Sequence, residues 1–154
     1  MSPAPFRVDH YFRGQATQDV RRHIANCFVA VEAASGRVAG YYTLSAASVP
    51  FTDLPAEDTR RLPRYPAVPA VRIGRLAVDR SFQGHGLGAA MLADATARAV
   101  QADIAAFMLI VNAESDRVIA FYQRHDFRLV TGSPRTLFLP LATACKIFLQ
   151  KLAR

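Results

Sequence analysis

The sequence predicts an α+β protein built on a mostly antiparallel sheet with flanking helices. Three observations carry that expectation: a hairpin pattern over residues 27–47, a strand, glycine loop and helix in succession over residues 71–101, and a second hairpin pattern over residues 127–141. With 154 residues and 51% hydrophobic content, the chain has the length of one ordinary domain, able to bury a core without disulfides or metal. A single domain over residues 1–154 is therefore expected.

Cys27 to Ala34 is apolar and β-branched, Ser35-Gly36 has turn chemistry, and Arg37 to Ala47 resumes a strand pattern, which together read as an antiparallel hairpin. Gln15 to Ile24, just before it, reads as one helix. Five prolines (Pro50, Pro55, Pro63, Pro66, Pro69) then interrupt the chain. They forbid a regular strand across most of that stretch and leave room for one short helix at Ala56 to Leu62. Val71 to Val78 is the next strand. After it, Gly88, Met91, Leu92, Ala95 and Ala99 fall on one face of a helix running from Gly86 to about Gln101, with Asp94 and Arg98 on the other. Ala105 to Val111 reads as a strand and Glu114 to His125 as a helix. Phe127 to Val130 with Thr136 to Leu141 reads as a hairpin, and Ala142 to Leu152 as an amphipathic helix.

The formal net charge is +7, carried by seventeen arginines and two lysines. Such a surface attracts phosphate-rich partners before any specific contact forms, and it also serves solubility alone. Arg60, Arg61, Arg64, Arg72 and Arg75 cluster around the proline segment, where they suit a nucleic-acid backbone or a plain solvated face. The longest apolar run, Ile104 to Val111, is too short for a membrane span, and Met1 to Arg7 lacks a secretory apolar region, so a cytoplasmic location with no membrane partner is expected. Cys27 and Cys145 suit packed, reduced thiols, and no metal site is expected.

Gln83-Gly84-His85-Gly86-Leu87-Gly88-Ala89 stands where a strand ends and a helix begins. Unpaired backbone N–H groups and the helix dipole converge there on a point that favours an anion, and glycine lets a pyrophosphate approach. The spacing is G-x-G-x-G and no Lys-Ser/Thr follows, which disfavours both a dinucleotide fold and a P-loop. Glycines at this point also suit a simple helix cap. Tyr122 shares a helical face with Val118, Phe121 and His125, a stripe that ordinarily belongs to a core.

Three ordered motifs, Arg75-Leu-Ala-Val-Asp79, Gln83-x-x-Gly86-x-Gly88 and Phe121-Tyr122-x-x-x-x-Phe127, resemble the GNAT superfamily of acyl-CoA N-acyltransferases. The similarity is closer to its toxin branch, the acetyltransferases of type II toxin–antitoxin systems, through Val38-Ala-Gly-Tyr-Tyr-Thr-Leu44 and Arg135-Thr-Leu-Phe-Leu-Pro140. That resemblance implies a GNAT fold: a central twisted, mostly antiparallel sheet in which a splayed strand pair forms an acetyl-CoA cleft. It implies acetyl transfer from acetyl-CoA, without a covalent enzyme intermediate, to the free α-amino group of an aminoacyl-tRNA. It also implies control by a small DNA-binding antitoxin. By position, Leu76, Ala77 and Val78 would hold the pantetheine arm as a mock strand, Gln83, Gly84, His85, Gly86, Leu87, Gly88 and Ala89 would take the pyrophosphate, and Asn112 would face the same cleft. Tyr122 would donate a proton to the leaving thiolate.

The acceptor amine needs little help, because a free α-amino group has a pKa near ~7.7 and esterification lowers it further. Glu114 is the nearest carboxylate for a base. The sequence departs from the family in two places. The part before residue 27 is short, and Asp126 stands where a glycine usually ends the helix in the left-handed region. Two rivals remain at this level: a GNAT enzyme acting on a small-molecule or protein amine, and a catalytically lapsed CoA- or RNA-binding protein. A homodimer is the expected assembly.

Overall fold

The computed structural model describes residues 5–6 and 15–153. Apart from Pro5–Phe6, the segment Met1 to Arg7 read above for a secretory signal lies outside the described residues. The chain divides into two compact units, Met1–Ser45 with Ile73–Ala95, and Ala46–Arg72 with Thr96–Arg154. The element order is β1 (Pro5–Phe6), α1 (Thr17–Arg21), β2 (Asn26–Val31), β3 (Val38–Pro50), α2 (Ala56–Thr59), β4 (Ala67–Asp79), α3 (Leu87–Gln101), β5 (Met108–Asn112), α4 (Asp116–Arg124), β6 (Arg128–Leu129), β7 (Thr136–Pro140) and α5 (Leu141–Leu152). It is an α+β chain. Strands β3 and β4 and helix α3 each contribute residues to both units.

In the first unit, β2 and β3 form the expected antiparallel hairpin, with Asn26 opposite Leu44 and Ala30 opposite Gly40. The turn between them places Gly36 at φ +73°, a left-handed conformation that explains a glycine there. β1 lies parallel to the end of β4, Pro5 opposite Val78. Tyr41 and Ala77 are buried together with Ala16 of the segment leading into α1. On the other face of β3, Gly40 is needed for closeness: a Cβ there would stand 2.7 Å from the Ala77 carbonyl oxygen and 3.0 Å from Met91. Two residues on, the Tyr42 hydroxyl donates a hydrogen bond to Asp94 of α3 and its ring stacks on Phe28. Asp94, read from the sequence as a surface partner of Arg98, is thus also an anchor of α3 onto β3.

In the second unit, β5 and β7 pair antiparallel, Met108 opposite Pro140 and Asn112 opposite Thr136, and β6 adds to β7. Val49, Leu54, Val68, Ala70, Met108, Ile110, Val130 and Phe138 bury a continuous core. Two strands start well away from where the sequence places them. β4 begins at Ala67 and runs through Pro69, because a proline lacks only the donor: its carbonyl accepts from Phe107 at 2.9 Å, and the ring is exposed. β5 begins at Met108 instead of Ala105. Its partner β7 gives way to α5 at Leu141, whose N–H donates to the Phe107 carbonyl at 2.9 Å, so β7 offers no ladder to residues 105 and 106, and Ile104 stands 85% exposed.

Ser115 caps α4, its hydroxyl accepting from the Val118 N–H at 3.3 Å. The helix ends as the motif requires, with Asp126 at φ +72°. An aspartate holds that left-handed position at a cost that glycine avoids. Asp126→Gly is therefore expected to raise stability by about 0.5–1 kcal/mol, a shift checked by the urea midpoint at unchanged slope.

Candidate functional site

In the first unit, β4 delivers Leu76, Ala77 and Val78 to the start of the glycine loop, Ala77 and Val78 buried and Leu76 half-buried. A 3-10 turn, Arg80–Phe82, follows, started by Asp79, whose carboxylate accepts from the Ser81 N–H at 3.2 Å and the Ser81 hydroxyl at 2.6 Å. Gln83 then staples the loop to the strand: its Nε2 donates to the Val78 carbonyl at 3.1 Å. Its own N–H is directed to the Arg80 carbonyl at 3.4 Å, so Gln83 shapes the loop more than it offers a free donor.

Gly84 and Gly86 both adopt left-handed backbone, at φ +84° and +80°, and a Cβ on either would meet nothing within 4 Å. The space beside them is open, so conformation and approach, rather than packing, call for glycine. Helix α3 starts at Leu87, and its first bond runs from the Ala90 N–H to the Gly86 carbonyl at 3.1 Å. By helix geometry, the N–H groups of Leu87, Gly88 and Ala89 have no intrahelical acceptor. They lie at the positive end of a 15-residue helix, in a loop whose Gly84, His85 and Gly86 are exposed. This arrangement can bind an anion, and its two left-handed glycines leave room for a pyrophosphate.

A cleft of about 660 Å³ borders the loop on the side of β2 and β3, lined in part by Val31, Arg37, Phe82, His85 and Leu87. Arg37 is held there three ways. Its guanidinium donates to the Ser81 hydroxyl at 3.0 Å, lies 3.9 Å from the Asp79 carboxylate and sits 5.2 Å from the centre of the Phe82 ring. No local pattern in the sequence singles out Arg37, which stands 44 residues from Ser81.

The second unit holds Asn112 and Tyr122. Asn112 ends β5, exposed, and its side-chain oxygen accepts from the Thr136 hydroxyl at 3.0 Å. Tyr122 is only 2% exposed, edge-on to Phe121 at 5.1 Å and to Phe127 at 5.2 Å between ring centres. The aromatic stripe is thus a core feature that also carries one hydroxyl. Burial, and secondarily the negative charge of Glu114, push that phenol well above the usual tyrosine range. It stays protonated at every working pH. His125 is pushed the other way, first by burial and then by the positive charges of Lys151 and Arg124.

These shifts have opposite consequences for stability. Tyr122 has a folded pKa above its unfolded value of about 10, so its contribution is complete below that pH and is lost as the pH rises beyond it. His125 has a folded pKa below its unfolded value of about 6.5, so its contribution is complete above that pH and is lost as the pH falls through the folded value. Thermal midpoints measured from pH 8 down to 5 are expected to fall, and His125→Gln is expected to flatten that decline. An identical decline in the variant would contradict the assignment.

The Acetyltransferase (GNAT) family model matches residues 2–127. A tRNA-acetylating toxin of Mycobacterium tuberculosis (strain ATCC 25618 / H37Rv) is 37% identical over 139 residues, covering 89% of this chain and 81% of the relative. The solved structure of AtaT complexed with acetyl-methionyl-tRNAfMet superposes with a TM-score of 0.83 at 28% identity, covering 92% of this chain and 85% of that one. A tyrosine-to-phenylalanine variant of the AtaT toxin, bound to the C-terminus of the antitoxin AtaR and acetyl-CoA, superposes at 0.75 with 26% identity, covering 92% and 83%. The strand, left-handed glycine loop and helix described above fall within the matched segment, and the chain belongs to the GNAT acetyltransferase family.

Proposed function

We propose that this chain is an acetyl-CoA-dependent N-acetyltransferase whose acceptor is the α-amino group of an aminoacyl-tRNA, and that it acts as a translation-blocking toxin restrained by an antitoxin. The observation that carries the reading is the loop from Gln83 to Ala89, with left-handed Gly84 and Gly86 leading into the positive end of α3. The tRNA-acetylating relative and the tRNA-bound and antitoxin-bound AtaT structures support the choice of acceptor and partner. Among the described residues no helix is long and apolar enough to cross a membrane. The proposed acceptor places the reaction in the cytoplasm.

In this reading the free N–H groups of Leu87, Gly88 and Ala89 receive the pyrophosphate, with Gly84, His85 and Gly86 beside it and Gln83 fixing the loop. The backbone of Leu76, Ala77 and Val78 pairs with the pantetheine arm, and the family resemblance assigns Asn112 to acetyl-CoA as well. The neutral amine attacks the thioester carbonyl, a C–N bond forms, the C–S bond breaks, and the amine loses one proton as the sulfur gains one. Tyr122 serves the sulfur side. A phenol kept neutral by burial offers its O–H to the thiolate as charge develops and regains its proton from the acceptor side. Glu114 contributes through its charge, which helps to keep Tyr122 protonated, and no strong base is needed for an amine of pKa near ~7.7.

The test follows release of free CoA thiol with charged tRNA, the same tRNA stripped of its amino acid, and a panel of small amines. Release driven by charged tRNA alone supports the reading. Release driven by small amines and not by charged tRNA contradicts it.

A further inference from the structure

The segment between β3 and β4 carries an aromatic residue that the fold does not use. Tyr65 is 63% exposed, although it is a large ring in a chain with 51% hydrophobic residues to bury. Its backbone is tightly set. Pro63 and Pro66 flank it, its N–H donates to the Pro63 carbonyl at 2.9 Å in a three-residue turn, and the Pro66 carbonyl accepts from Phe51 at 3.2 Å. The ring is therefore mounted on a braced loop and faces solvent.

Arg60, Arg61 and Arg64 precede it in sequence, all exposed, and none takes an ion pair among the described residues. The segment's own acids do not neutralise them. Glu57 and Asp58 are both turned to Arg128, which donates to their carboxylates at 2.9 and 2.6 Å and lies 4.8 Å from the Phe138 ring. Three guanidiniums and one flat ring are left on one short loop, with Glu57 and Asp58 engaged elsewhere.

We propose that this loop binds the single-stranded 3′ end of the acceptor RNA, Tyr65 stacking on an unpaired base and Arg60, Arg61 and Arg64 contacting the flanking phosphates. The chemistry selects this occupant. A duplex would engage the arginines and leave the ring idle, whereas unpaired bases stack on aromatic faces while the backbone runs along positive charge. A guanidinium is also suited to two-point phosphate contact. The inference rests on the aminoacyl-tRNA reading, since that substrate presents its amino acid on a single-stranded end.

The test measures binding of the full chain to an intact tRNA and to the same tRNA with its unpaired 3′ nucleotides removed. Tyr65→Ala is expected to weaken binding of the intact RNA about tenfold and to leave the trimmed RNA unchanged, while Tyr65→Phe binds as the parent does. The combined Arg60→Gln, Arg61→Gln, Arg64→Gln variant is expected to weaken binding of the intact RNA, to lower its log–log salt slope by roughly 2, and to leave the trimmed RNA unchanged. If the parent protein acetylates charged tRNA and Tyr65→Ala loses no affinity, or loses it equally for both RNAs, the stacking role is overturned and the acetylation reading stands. If the parent binds acetyl-CoA yet ignores charged tRNA, both are overturned.

Discussion

Tyr122→Phe is expected to lower turnover about a hundredfold while leaving acetyl-CoA affinity and the fold intact. The substitution removes one oxygen from a ring whose packing against Phe121 and Phe127 is unchanged, so the core keeps its shape. What is lost is the one hydroxyl that this aromatic stripe offers to a departing sulfur. Tyr122→Ala would be a poor substitute, because truncating a ring 2% exposed also costs about 3–5 kcal/mol of stability and confounds the rate. Steady-state kinetics with acetyl-CoA titrated separately distinguishes the cases. A fall in kcat at constant acetyl-CoA affinity is the expected pattern, and parent-like turnover would remove Tyr122 from the chemistry.

Gly86→Val is expected to abolish acetyl-CoA binding, by at least about a hundredfold in Kd, without unfolding the protein. The backbone there stands at φ +80°, where a β-branched residue costs about 1–2 kcal/mol, a fraction of a domain's stability. Nothing in the protein obstructs the new side chain, since a Cβ at Gly86 meets no atom within 4 Å. The obstruction is to the ligand, because the isopropyl group would stand where the phosphates approach the N–H groups of Leu87 to Ala89. Calorimetric titration with acetyl-CoA, alongside a thermal melt, separates the two effects. A folded variant with parent-like affinity would place the pyrophosphate elsewhere.

The loop was legible in the sequence because its physics is local: glycines at the end of an apolar strand, followed by a helical stripe, give the same answer in any context. The end of α4 was legible for the same reason, and Asp126 adopts the left-handed backbone that its place in the motif required. What sequence reading misplaced was set by distant partners. The start of β5 depends on where β7 turns into α5, 30 residues and more away, and apolarity at Ile104 carries no trace of it. Pro69 reads as a break because proline lacks a donor, whereas the structure needs only its acceptor. Tyr122 shows the limit for chemistry. Periodicity places it in a core, where it is, and only the motif around it distinguishes a core ring from one with work for its hydroxyl. Arg37 and Tyr65 were missed or left unweighted for a further reason. The one is fixed by contacts across 44 residues, and the other stands out only once its exposure is known.

The most direct measurement is the chemical identity of the product. The protein is incubated with labelled acetyl-CoA and total charged tRNA, the RNA is recovered, its ester bonds are cleaved in mild base, and the released material is identified by mass spectrometry. The account predicts labelled N-acetyl amino acid, reduced about a hundredfold with Tyr122→Phe at matched times and absent with uncharged tRNA. Acetyl-CoA binding without any N-acetyl amino acid in the RNA fraction, or label on the nucleotides themselves, would contradict it.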